Sequence, residues 1–206
     1  MVTKEELYKL VKSKINRSKN MPYRIVGGQQ VKTNKYPWYC FLYIELKNGS
    51  GSMCGASLIN GNYAVTAAHC LYGSNNQKTY RNIYVIPNLL DIDDMNSMDY
   101  ATVTNSIIQN YNPNGSRNDI CVMTLNNNFE SIPRPKLNKR PINELIGKDI
   151  KVIGFGTTSE GGNTADNLME VTVKINSNSE CSVNSQYGTD ISNSFCASAP
   201  GKDSCQ

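Results

Sequence analysis

At 206 residues, with only 18% charged side chains and abundant Gly, Ser, Thr, Asn and Tyr, the chain is long enough to bury one or two cores. Its composition is neither disordered, collagen-like nor membrane-spanning, and no apolar run approaches the roughly 18 residues of a membrane helix. The formal charge of +4 sits at the start: residues 1–24 carry seven basic and two acidic side chains, while the other 182 residues carry 14 basic and 15 acidic, too few cations to grip phosphates, which argues against nucleic acid as a partner.

Residues 1–24 are basic and have a weakly amphipathic helical pattern through Leu7, Leu10, Val11 and Lys14 before Asn20 and Pro22. They read as a solvated leader or pro-segment. Lysines interrupt every apolar stretch, so no hydrophobic region of a signal peptide is visible. From there the pattern turns to short β-rich runs: YPWYCFLYIEL, SMCGASLI, NYAVTA, NIYVIP, ATVTNSII and DICVMTL, then DIKVIGFG, LMEVTVKI and SFCAS. Turn signals such as NGSGS, INGN and NPNGS separate them. Many short strands without a long amphipathic helix predict an all-β fold of antiparallel barrels or a sandwich. The Pro-rich stretch IPRPKLNKRP, residues 132–141, reads as a linker between a first unit over 25–131 and a second over 142–206.

Seven cysteines leave at least one without an intramolecular partner. With no CxxC pair and a single His, a structural metal site is not expected. The cysteines instead predict a disulfide framework and hence an oxidising, extracellular compartment. The lone His69 lies in AVTAAHC, and Cys54 precedes Cys70 by sixteen residues, a spacing that lets a disulfide clamp a hairpin beside the imidazole. An imidazole on a pinned turn suits a general base. Asp119 opens the otherwise apolar run DICVMTL, where a carboxylate needs a partner to stabilise its charge. Pairing of Asp119 with His69 is the sharper of two readings, the other being a solvated strand-start acid.

These segments together resemble the trypsin-like, chymotrypsin-fold serine proteases. RIVGG at 24–28 is similar to the family's activation site, CGASLING with AVTAAHC to its His segment, NDICVMTL to its Asp segment, and VIGFGTTSEGG to the opening of its second barrel. GKDSCQ is similar to the run that precedes its nucleophile. The resemblance implies two antiparallel Greek-key β-barrels, and an endopeptidase made as a zymogen and opened between Arg24 and Ile25. His69 would be the general base and Asp119 would orient it. Asp203 at the base of a pocket, with Ser204 lining it and Gln206 at its rim, would favour Arg or Lys at the cleavage site. Cys181 and Cys196 match a family disulfide; Cys40 and Cys121 stay open as buried thiols or a bridge.

In the family a run like GKDSCQ leads directly into GDSGGP, whose serine is the nucleophile. The resemblance therefore implies an incomplete second barrel, no nucleophile within these residues, and no activity of the 206-residue chain by itself. A catalytically inactive homologue acting as a binding or decoy protein is the alternative reading. Implied partners are protein or peptide substrates and protein protease inhibitors, with neither nucleic acid nor membrane. No cofactor is expected, although the acidic run at Asp91, Asp93, Asp94 and Asp99 is held open as a calcium site against a plain solvated loop.

Overall fold

The computed structural model describes residues 2–15, 28–114, 117–156, 165–180 and 194–199. Arg24, Ile25, Cys181, Asp203, Ser204, Cys205 and Gln206 lie outside the described residues.

Strand β2 (Tyr39–Leu46) sets the architecture because both of its faces are buried. Cys40, Leu42 and Ile44 point one way and Tyr39, Phe41 and Tyr43 the other, as the two-residue period of a strand requires. β2 pairs with β3 (Gly51–Asn60) on one side and β5 (Tyr80–Pro87) on the other. The Asn48-Gly49 turn that joins β2 to β3 holds Gly49 at φ 80°, a conformation that costs glycine nothing. With β4 (Tyr63–Thr66), β6 (Ala101–Ile108) and β7 (Cys121–Leu125) these strands close into a six-stranded barrel in the order β2-β3-β4-β7-β6-β5. Closure leaves the barrel without a free edge. Its interior holds Leu42, Ile44, Leu58, Ile83, Val85, Met123 and Leu125.

A second sheet is antiparallel and centred on β9 (Met169–Ile175), which pairs with β8 (Asp149–Gly154), with the short β1 (Gln29–Gln30) and with β10 (Ala197–Ser198). Residues 132–141 between the two sheets contain neither strand nor helix. The sheets meet through aromatic contacts: Phe155, just after β8, stands edge-on to Phe41 at 5.4 Å and lies 6.0 Å from Tyr39. The fold is all-β, a closed barrel beside a second sheet.

β1 is also held to β9 by a cluster of side chains. Glu170 is buried and accepts from the Tyr36 hydroxyl, from Lys35 Nζ at 2.9 and 3.0 Å and from Gln29 Nε2 at 2.9 Å. Lys151 Nζ lies 3.8 Å away. These donors, the Tyr36 hydroxyl foremost, hold the Glu170 carboxyl at about 2, below its ordinary 4.5.

The start of the chain differs from the solvated leader expected for it. Residues Lys4–Ile15 form helix α1, opened by a capping box in which Thr3 Oγ1 accepts from the Glu6 N–H and Glu6 Oε2 accepts from the Thr3 N–H. Leu7 and Val11, one turn apart, are fully buried in the cluster that includes Ile92, Met95 and Met53. The counter-charges of its lysines, Asp93, Asp99 and Asp166, come from distant sequence, so the basic composition alone suggested exposure.

Candidate active site

β4 and β7 run antiparallel with Thr66 opposite Cys121. β4 therefore ends where β7 begins, and the chain three residues past Thr66 meets the chain two residues before Cys121. Those positions are His69 and Asp119. His69 sits in a single 3-10 turn, Ala68–Cys70, whose Ala68 is anchored in the barrel core. Thr66 is itself buried and donates its hydroxyl to the Gly55 carbonyl at 2.8 Å, tying this end of β4 to β3.

The Cys54–Cys70 disulfide fixes the same turn from the other side, bridging β3 to the residue after His69. Closing a sixteen-residue loop contributes about 3 kcal/mol in the chain-entropy model. Cys54, His69 and Cys70 bring ligand-type atoms within 4.8 Å of one another, but both sulfurs are consumed by the disulfide, so this group does not hold a metal.

The Asp119 carboxylate grips His69 with both oxygens. Oδ1 accepts from the His69 backbone N–H at 2.8 Å, and Oδ2 lies 2.7 Å from the ring Nδ1. Burial pushes the Asp119 carboxyl up, but the ring of His69 and the backbone N–H groups of His69 and Ala68 outweigh it, so the carboxyl lies below its ordinary value. An ionised carboxylate can only accept, so Nδ1 carries the proton and Nε2 presents its lone pair. The ring remains 29% exposed, within reach of a reacting group. The pair can therefore take a proton at Nε2 and stabilise the resulting imidazolium.

Two further residues shape the Asp119 side and were not singled out from the sequence. Asn118 has φ 53°, in the left-handed region that Asn tolerates, and its side-chain amide donates to the Asn110 carbonyl at 2.9 Å. The Asn immediately before the Asp was the available signal. Tyr111 is buried in the barrel, and burial together with the negative Asp119 pushes its phenol up.

The remaining sequence-derived candidates separate into two groups. Cys196 is disulfide-bonded, while its expected partner Cys181, with Arg24, Ile25, Asp203, Ser204 and Gln206, lies outside the described residues. Cys40 and Cys121 are free, buried thiols, pushed up by desolvation to about 12 and about 11. In the acidic loop, Asp91 caps the 3-10 turn Ile92–Ser97 by accepting from the Asp93 N–H, while Asp93 and Asp99 receive Lys12 and Lys4 of α1.

Comparison with known proteins bears on this geometry. The family model described as Trypsin matches residues 25–206. Trypsin-1 of Astacus astacus is 35% identical over 195 residues, covering 88% of this chain and 78% of that protein. Trypsin beta of Drosophila erecta is 33% identical over 194 residues, covering 89% and 70%. Serine protease SSP1 of Scolopendra subspinipes is 32% identical over 165 residues; the match covers 78% of this chain and 57% of that protein. A solved structure, "Structure of GrC", superposes with a TM-score of 0.69 at 22% identity over 85% of this chain and 76% of that one, a likeness of fold.

Proposed function

The chain belongs to the trypsin family of serine proteases, and we propose that it serves as an endopeptidase that cleaves after arginine or lysine and is switched on by cleavage between Arg24 and Ile25. The observation that carries the catalytic part is the two-oxygen grip of Asp119 on His69, at 2.8 and 2.7 Å. In the proposed reaction Nε2 of His69 takes the proton of a serine hydroxyl as that oxygen attacks the scissile carbonyl. The imidazolium, held by Asp119, then returns the proton to the leaving amine. The family carries its serine in a GDSGGP run, and the 206 residues contain no such run.

Preference for a cationic side chain rests on Asp203, two residues before Cys205 as the family motif has it. A carboxylate at the base of a pocket pairs best with Arg or Lys when the pair is withdrawn from water. Protein or peptide substrates follow from the reaction, and protein inhibitors that present Arg or Lys to the same pocket follow from the specificity. An extracellular location is supported by Cys54–Cys70, since such bonds persist in oxidising compartments.

The test extends the chain after Gln206 with a segment beginning GDSGGP taken from a trypsin relative, cuts it at Arg24, and monitors hydrolysis of Arg, Lys and Phe ester substrates. Hydrolysis of the Arg and Lys esters, lost in His69→Ala and shifted away from them in Asp203→Ser, is the expected result. No hydrolysis by the folded, cleaved, extended protein would favour a binding protein without catalysis. Hydrolysis by the 206 residues alone that disappears in His69→Ala would show that another hydroxyl or thiol attacks.

A further inference from the structure

Helix α1 precedes the proposed cleavage bond, yet it is docked on residues from the far side of that bond. Leu7 and Val11 share a buried cluster with Ile92 and Met95 of the acidic turn and with Met53 of β3. Around this apolar stripe runs a ring of polar contacts. Lys12 Nζ lies 2.7 Å from Asp93 and 3.4 Å from Asp166, Lys4 Nζ 2.8 Å from Asp99, and the Tyr8 hydroxyl donates to Asp93 at 3.0 Å. The Tyr100 hydroxyl donates to the Val2 carbonyl. The helix is capped within itself by Thr3 and Glu6 and braced by Glu5–Lys9, so it needs no residue beyond Ile15 to define its start or its docking face.

We infer that the face formed by the Ile92–Ser97 turn, Asp99 and Asp166 is a binding site for a basic amphipathic helix, and that α1 remains seated there as a separate peptide after the chain is cut between Ile15 and β1. Apolar burial holds the helix, and the lysine–aspartate pairs set its register and direction. Two acids that would otherwise be free to attract a metal cation or another basic surface, Asp93 and Asp99, are thereby neutralised by the chain's own lysines. The proteolysed protein is then a two-part assembly with a masked acidic face, rather than a body that has shed its leader. The occasion for this is the proposed cleavage at Arg24, but the binding itself does not depend on that reading.

The experiment uses the full chain with residues 17–23 replaced by the recognition sequence of a site-specific viral protease. After the cut, the sample is passed over a size-exclusion column in 0.15 M salt, and the body peak is analysed by mass spectrometry, with circular dichroism to verify that the body keeps its β structure. The expected result is that the amino-terminal fragment co-elutes with the body, and that Leu7→Asp, which removes the buried anchor, lowers the retained fraction at least tenfold. Should Leu7→Asp fail to fold, Lys12→Glu tests the ion pairs, and the exchanged pair Lys12→Glu with Asp93→Lys should restore retention. A fragment that elutes alone from the unaltered sequence in 0.15 M salt overturns the inference, as does one retained equally by every variant. Because the cut is made by an added protease, either result leaves the assignment of the activation bond and of catalysis to its own test.

Discussion

Glu170→Gln is the substitution that most directly tests how the segment around β1 is fastened to the second sheet. The carboxylate on β9 is buried and receives Tyr36, Lys35 and Gln29, all from the stretch that begins with β1. Replacing it by an amide keeps the shape but removes the charge, and turns one acceptor into a donor that faces other donors. The fall of the Glu170 carboxyl from 4.5 to about 2 corresponds to about 3.4 kcal/mol at roughly 1.36 kcal/mol per pH unit. The Lys35 and Lys151 side chains are 50% and 41% exposed, so solvent screens part of this, and about 2 kcal/mol is the expected loss.

The assay is urea denaturation at a series of pH values, monitored by the fluorescence of Trp38, the chain's one tryptophan, whose ring lies 6.1 Å from Tyr36. Glu170 has its folded value depressed, so its contribution is complete above the unfolded value near 4.5 and fades as pH falls toward 2. The gap between parent and variant should be about 2 kcal/mol at pH 7 and roughly 40% of that at pH 3. Other carboxylates are common to both proteins and cancel in the difference. A gap within about 0.5 kcal/mol of zero at pH 7 would refute the charge argument, as would a gap of about 2 kcal/mol unchanged at pH 3.

In the extended protein, Asp119→Asn should lower kcat on the order of 10⁴-fold, the figure established for this protease family, while thermal unfolding changes little. An amide that donates to Nδ1 would force the proton onto Nε2, the wrong tautomer for a base, and retention of activity would show that another group orients His69. Cys40 and Cys121 should react with a thiol reagent at pH 8 only after denaturant is added, because both are buried and pushed up to about 12 and about 11. Rapid labelling of either in the folded chain would mean that the barrel opens locally far more often than its closed hydrogen bonding allows.

The parts legible in the sequence were those written in local pattern. β2 shows as a nearly continuous apolar, aromatic-rich run because both of its faces are buried, and the turn after it shows as Asn-Gly because Gly49 must take positive φ. His69 and Asp119 could be paired in advance as the sharper of two readings, since an acid entering an apolar strand finds a ready partner in the chain's single imidazole, although a solvated strand-start acid was the other. What stayed hidden was written in the partner rather than in the segment. Nothing in KEELYKLVKSKI announces Asp93, Asp99 or Asp166, which lie about 80 to 160 residues away in sequence and turn a charged stretch into a docked helix. The pattern through Leu7, Leu10, Val11 and Lys14 suggested a helix, but such a pattern says that a helix forms and not whether it is covered. Glu170 in LMEVTVKI is locally an ordinary strand residue, and only the fold brings Tyr36, Lys35 and Gln29 around it. The same division holds within the site. The chemical identities of the imidazole and the carboxylate are local, whereas the register that sets Thr66 opposite Cys121, and so joins them, belongs to the closed barrel. A substitution that shifted the β4–β7 register by one residue would therefore separate His69 from Asp119 with both side chains intact.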